Sequence, residues 1–257
     1  MDSFDINKTK IPQDTKEALK SFESREFSNF HLKLNRFAQF NEKLDRFEFD
    51  KNIEEFIFSN YDEIAMNYKK QMEKFIKLFS FELKLDYRLL IGAEQSIYET
   101  SIRLHHIYGI PYIPSTAIKG VVRSHFIEKN FYNEENREHE ALKNDEFKKW
   151  FGTQTQEGKI VFLDAFPTTK PTIKVDIMNP HYGHYYNDGE APTDTKNPIP
   201  INFLTVEDTT LQFLIGFKDE VDKEFIVLFK KALQEHGIGA KTAVGYGYFE
   251  VQKPKKR

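Results

Sequence analysis

Gly237-Ile-Gly-Ala-Lys-Thr-Ala-Val-Gly-Tyr-Gly-Tyr-Phe249 reads as a glycine-rich loop that joins a helix to a strand. Upstream, Val221, Phe225, Leu228, Phe229, Ala232 and Leu233 recur in steps of three and four. That spacing predicts an amphipathic helix from about 219 to 236, closed by Gly237 as a left-handed cap. Downstream, Val244, Tyr246 and Tyr248 alternate with Gly245, Gly247 and Phe249. This is the pattern of a strand whose two glycines leave room for another backbone to come close.

A loop of this composition can turn several amide N–H groups toward an anion, with Lys241 adding a mobile positive charge and Thr242 a hydroxyl. A phosphate chain fits that chemistry. The plainer reading is that Gly237 caps the helix while Gly245 and Gly247 ease packing. A Walker P-loop fits poorly, because Ala240 rather than glycine precedes Lys241 and the loop follows a helix instead of opening one.

The chain has 257 residues, 39% hydrophobic and 15% aromatic, enough to build a sizeable core. No run of about eighteen apolar residues occurs and the first thirty residues are polar and charged, so a cytoplasmic protein without membrane span or signal peptide is expected. The absence of cysteine excludes disulfides and thiolate chemistry; histidine and carboxylate metal sites stay open, although no cofactor is expected. A net charge of −3 gives no global attraction to nucleic acid, so any such site must be a local patch.

Residues 1 to about 29 read as a polar arm with a short helix. The spacing of Phe30, Leu34, Phe37, Phe40, Leu44 and Phe47, continued by Ile53, Phe56, Ile57, Ile64, Tyr68, Phe75 and Leu78, predicts two helices broken near Asp50. Their stripe is read as core packed on the main domain, so that residues 1–78 form an N-terminal region and 79–257 the main domain. Alternation from Phe79 to Leu89 predicts one long, half-buried strand. Ile102, Leu104 and His106 suggest a second strand beside it, on which His105 and His106 point to opposite faces.

In the stretch from Gly109 to Gly120, Pro114 and Ser115 predict a helix start with Ser115 as cap, and Ile118, Val121, Val122 and Phe126 supply its buried stripe. Lys119 and Arg123 share the opposite face, where an ordinary solvated surface competes with a phosphate-binding one. Gly120 costs about 1 kcal/mol relative to Ala inside a helix, which suggests that something approaches its backbone. Residues 130–146 read as a connection, followed by a short helix carrying Phe147, Trp150 and Phe151. Lys159 to Ala165 fits a central strand, with Asp164 as a turn or cap acceptor rather than a catalytic acid.

Residues 167–206 resemble an insertion, with Ile173, Val175 and Ile177 on an outgoing strand and Ile201 to Val206 returning. Between them His181, Tyr182, His184, Tyr185 and Tyr186 offer flat rings for stacking on unpaired bases, or equally an internal aromatic plug. His181 and His184 alone are too few for a metal, and a histidine acting as acid or base in RNA cleavage also stays open. Leu211, Phe213, Ile215 and Phe217 give a further strand. Without the N-terminal region and the insertion, the order is strand, helix, strand, strand, helix, strand: an α+β, ferredoxin-like (RRM-like) βαββαβ domain with an inserted thumb.

Ile110-Pro-Tyr-Ile-Pro-Ser-Thr-Ala-Ile-Lys-Gly-Val-Val-Arg123 and the glycine loop resemble two motifs of the RAMP superfamily of CRISPR proteins, although Ser115 stands where many of its members have glycine. Gly158 to Ala165 and Asp176-Ile-Met-Asn-Pro-His-Tyr-Gly183 extend the similarity, which covers roughly 79–251 and is nearest the type III-B Cmr branch. The resemblance implies a non-catalytic backbone subunit that holds the 3′ part of a CRISPR guide RNA, with target RNA and neighbouring Cmr subunits as partners. It gives Ser115, Lys119, Arg123, Gly237, Gly239, Lys241, Thr242, Gly245, Tyr246 and Gly247 to the guide and the insertion to a thumb between guide and target. A metal-independent endoribonuclease processing CRISPR transcripts and a protein-only scaffold are the alternatives.

Overall fold

The computed structural model describes residues 6–20, 27–41, 43, 47–49, 52–92, 98, 102–178 and 200–250. Its helices are α1 (Gln13–Lys20), α2 (Phe30–Asn35), α3 (Tyr61–Met72), α4 (Ser115–Phe131), α5 (Arg137–Ala141), α6 (Asp145–Phe151) and α7 (Lys223–His236). The strands are β1 (Gln39–Phe40), β2 (Phe47–Glu48), β3 (Lys77–Lys84), β4 (Arg88–Leu89), β5 (Ile160–Phe162), β6 (Phe166–Pro167), β7 (Thr172–Met178), β8 (Ile201–Glu207) and β9 (Thr210–Phe217).

The architecture is mixed α+β with antiparallel sheets. In the main sheet β9 is central: β3 runs along one side from Lys77↔Phe217 to Lys84↔Thr210, and β5 and β6 share the other. Beyond β3, Phe249 makes a single antiparallel bridge to Leu85, and the Glu250 amide donates to the Lys84 carbonyl at 2.9 Å. β9 is buried at Leu211, Phe213, Leu214, Ile215 and Phe217, as befits a strand covered on both faces. The apolar run at β5 forms an edge strand instead of the expected central one, because among the described residues it pairs only with β9.

α7 lays its stripe of Phe225, Leu228, Phe229, Ala232 and Leu233 on this sheet, with the Phe229 ring edge-on to Phe81 and Phe213. Burial of each of the Phe and Leu side chains in this stripe stabilises by about 1.5–3 kcal/mol. The helix starts at Lys223, later than its periodicity suggests, because the Asp222 carboxylate caps it, accepting from the Glu224 and Phe225 amides at 3.1 Å. α4 packs beside it, and α6 closes the end with Phe147, Trp150 and Phe151 all buried.

A second sheet has the order β4-β8-β7, in which β7 and β8 form a hairpin paired from Thr172↔Glu207 to Met178↔Ile201. The long strand expected over 79–89 is therefore divided. It leaves the first sheet after Lys84, bends at Asp86 and Tyr87, and enters the second at Arg88.

The N-terminal region departs furthest from expectation. The first predicted helix is only six residues long and is followed by the small β1-β2 pair, and the second shrinks to a 3-10 turn at Ile53–Glu55 plus α3. Phe30, Leu34, Ile53 and Phe58 are buried, whereas Ile57 and Phe75 are exposed. α3 reaches β6 through Tyr68, whose ring meets Phe166 edge-on. His105 and His106 sit in a turn rather than a strand, and their rings stack with centroids 5.2 Å apart instead of pointing to opposite faces. No helix among the described residues is long and apolar enough to cross a membrane.

Candidate nucleic-acid interface

The segment after α7 is a folded loop, not the strand expected at 244–251. Gly237, Gly239, Lys241, Gly245 and Gly247 all have positive φ, which breaks extended geometry at nearly every second residue. Thr242–Val244 forms a 3-10 turn instead. Two glycines are required by contact: a Cβ on Gly239 would sit 2.4 Å from the Leu90 carbonyl oxygen, and one on Gly247 1.9 Å from that of Ile238. The close backbone approach is thus internal to the chain at these points.

Gly237, Ile238, Tyr246 and Gly247 are buried, while Gly239, Ala240, Ala243, Val244 and Gly245 are exposed and Lys241 and Thr242 half-exposed. The hydrogen bonds that hold the loop use the amides of Ile238, Ala240, Val244, Gly245, Tyr246 and Gly247. Those of Gly239, Lys241, Thr242 and Ala243 take no part in them. The Lys241 ammonium lies 5.3 Å from the Phe203 ring centroid, which keeps it on the hairpin side of the loop.

Between this loop and the start of α4 runs a groove of about 470 Å³, lined by Ile91, Gly92, Arg103, Pro114, Thr116, Ala117, Gly239 and Ala240. Ser115 is not the cap of α4. Pro114 holds that position, and the Asp164 carboxylate takes the Ser115 amide at 2.6 Å. A fixed anion at the positive end of α4 discourages a second one there, and among the groove's lining residues Arg103 is the cation.

Lys119 and Arg123 face a different neighbour from the one expected. The Lys119 ammonium donates to the Phe151 carbonyl at 3.0 Å. The Arg123 guanidinium forks onto both oxygens of Glu138 and lies 5.0 Å from the Phe147 ring centroid. That pairing, with the fork's hydrogen bonds leading, holds the Glu138 carboxyl below the ordinary value. The segment expected as a loose connection forms α5 and supplies that carboxylate.

Gly120 follows Thr116 by one helical turn, and nothing lies within 4 Å of the place a Cβ would take. Gly120→Ala is therefore expected to stabilise the isolated chain by about 0.5–1 kcal/mol, read as a higher unfolding midpoint. A lower midpoint would reveal a packing role at this position.

Tyr246 belongs to the interior scaffold. Its hydroxyl donates to Asp176 of β7, and burial together with that carboxylate pushes its pKa up to about 12. Arg88 of β4 donates to the same Asp176 oxygen at 2.6 Å and to Glu207 of β8 at 3.1 Å. Its carbonyl accepts the Gly247 amide at 2.6 Å. The root of the hairpin and the glycine loop are thereby bound into one unit. Sequence reasoning does not single out Arg88, Arg103, Glu207 or Thr116; a charged residue within an apolar strand, such as Asp176, is the available signal. His181, Tyr182, His184, Tyr185 and Tyr186 lie outside the described residues.

Two curated relatives and one solved structure frame these features. The chain is 37% identical over 223 residues to the CRISPR system Cmr subunit Cmr6 of Pyrococcus furiosus, covering 65% of this chain and 66% of that protein, just under two thirds of its length. It is 28% identical over 221 residues to the CRISPR system CMR subunit Cmr6 of Saccharolobus solfataricus, covering 80% and 72%. In fold it is similar to a chain in the structure of the type III-B Cmr-beta bound to cognate target RNA, with a TM-score of 0.59 and 24% identity over 94% of this chain and 74% of that one. A profile of the RAMP superfamily matches residues 82–250, from within β3 to the end of the glycine loop, and the chain belongs to that superfamily.

Proposed function

We propose that this chain is a non-catalytic, guide-RNA-binding backbone subunit of a type III-B Cmr complex, holding the guide toward its 3′ end for antiviral defence. The observation that carries the reading is the groove between the glycine loop and α4, bordered by Arg103, Thr116 and Gly239. Loop backbone and the Arg103 cation suit a sugar-phosphate strand, Lys241 adds a second cation on the hairpin side of the same loop, and the bare backbone at Gly120 extends the same helix face. The net charge of −3 suits a subunit that neutralises few phosphates and shares the RNA with neighbours.

We read the core as the ferredoxin-like βαββαβ arrangement. In its support, Phe249, β3, β9 and β5 lie side by side in that order, with α4 and α7 in contact. The β7-β8 hairpin is the stem of the proposed thumb between guide and target, rooted in the glycine loop through Asp176, Arg88 and Tyr246.

The test is co-expression with the neighbouring Cmr subunits, followed by nucleic-acid extraction from the purified assembly. Lys241→Glu with Arg103→Glu is expected to lower guide occupancy and to flatten the salt dependence of binding by about one unit for each phosphate that is no longer neutralised. Unchanged occupancy in a folded double variant rejects the groove as the guide site. Lys119→Glu with Arg123→Glu is a poorer test, because it breaks the Glu138 fork as well. Repeat RNA incubated with the isolated chain in EDTA is expected to stay intact. A single defined cut would make the chain an endoribonuclease instead.

A further inference from the structure

Where α4 meets the end of α7, two imidazoles and two carboxylates converge in a place the RNA reading does not use. His125 Nδ1 lies 2.9 Å from His236 Nε2 and 3.6 Å from a Glu235 oxygen. His236 Nε2 lies 3.7 Å from a Glu128 oxygen. The ligand atoms of His125, Glu235 and His236 are all within 4.8 Å of one another. His125 and Glu128 stand three apart on α4 and so share a face, while Glu235 and His236 close α7.

We propose that His125, Glu235 and His236, with Glu128 as the fourth ligand, form a zinc-type divalent-metal site that clamps α4 to α7 immediately before the glycine loop. Tetrahedral coordination with bonds of about 2.0–2.2 Å sets ligand atoms roughly 3.3 Å apart, close to the 2.9, 3.6 and 3.7 Å separations of the contacting pairs, whereas Glu128 stands outside the three-residue cluster and must swing in. The side chains that must adjust are free to do so: Glu128, Glu235 and His236 are 52%, 59% and 32% exposed.

Two imidazoles and two carboxylates suit zinc or a later transition metal; magnesium and calcium prefer all-oxygen sets. As a plain hydrogen-bonded pair the cluster is poorly satisfied, since buried His125 has no partner at Nε2 and only one proton can lie between the two facing nitrogens. A cation between the facing nitrogens would join both rings and balance two carboxylate charges. The depression of about 400 Å³ that these residues line with Lys129 and Lys231 opens to solvent and gives an ion its route in.

The experiment uses the full chain stripped with EDTA, dialysed and then given zinc chloride in molar excess. Bound zinc is measured after desalting, affinity by calorimetry, and geometry from the visible absorption of the cobalt-loaded protein. One zinc per chain, a raised unfolding midpoint and a tetrahedral cobalt spectrum are expected. Removal of an outer-shell partner typically weakens a site 10–100-fold, so His236→Ala and Glu235→Gln are each expected to weaken zinc at least that much. His181→Ala with His184→Ala controls for the other histidine pair and is expected to bind zinc as the wild type does. His125→Ala is avoided because that ring is buried and its loss can unfold the helix pair. Failure to retain zinc, unchanged affinity in folded His236→Ala, or loss confined to the His181/His184 variant overturns the site. None of these outcomes bears on RNA binding.

Discussion

Gly247→Ala is expected to cost about 3–5 kcal/mol of stability, far more than the same change two residues earlier at Gly245. Both positions have positive φ, so each substitution carries a backbone penalty of about 1 kcal/mol. Gly245 has nothing within 4 Å of its new methyl, and its cost should end there. At Gly247 the methyl would sit 1.9 Å from the Ile238 carbonyl oxygen, and that atom is main chain that cannot rotate away. The backbones must separate, which strains the bonds from the Ile238 amide to Gly247 and from the Gly247 amide to Arg88. The loop has no cheap way to peel off, because it carries buried Ile238, Tyr246 and Phe249. For a chain of this size the difference between the two variants is roughly 10 °C in unfolding midpoint. Equal midpoints would show that the two strands of the loop do not touch.

The same residues show how far the sequence can be read. Elements with a long, regular pattern are legible: α4, α7, β9 and both legs of the β7-β8 hairpin lie where periodicity puts them. The glycine loop is legible as a loop, yet its continuation is not, because alternating Tyr and Gly mimics a strand when the glycines' positive φ is not visible. The N-terminal helices fail for a related reason. Phenylalanines at three-to-four spacing occur there in a six-residue helix, in a short strand pair and just after a 3-10 turn, where aromatic clustering of Phe30 with Phe56 and Phe58 replaces a continuous helical face.

The site itself is half legible. Chemistry-bearing types stand out at Lys241, Lys119 and Arg123, but their partners are distant in sequence. Glu138 captures Arg123 from a segment that looks featureless, and Arg103 reaches the groove from a short extended stretch between the bridges at Ile102 and Leu104. Asp164 as the cap of α4 is anticipated in type, though not in partner, since the pairing spans 49 residues.

Asp176→Asn is expected to destabilise by about 2–4 kcal/mol, although it changes one atom, because every neighbour of this carboxylate is a donor. One oxygen accepts from Arg88 and from the Tyr246 hydroxyl, and the other accepts from the Ile177 amide at 2.8 Å. An asparagine must turn its NH2 toward one set or the other, so either orientation opposes donor to donor. Arg88 keeps Glu207, which limits the loss, and Tyr246→Phe should cost only about 1 kcal/mol because it removes one donor and leaves the ion pair. The pH dependence gives an independent reading. Burial alone would raise the Asp176 pKa, but the bonds from Tyr246, the Ile177 amide and Arg88 outweigh it and hold the folded value below the ordinary 3.8. A depressed carboxyl stabilises fully above its unfolded pKa and loses that contribution as the pH falls through the folded one. Wild type and Asp176→Asn should therefore differ by a constant amount near neutrality and converge only as the pH drops below 3.8. Curves that stay parallel through that range would mean Asp176 acts by shape and not by charge, and the hairpin would then be fixed to the glycine loop by packing alone.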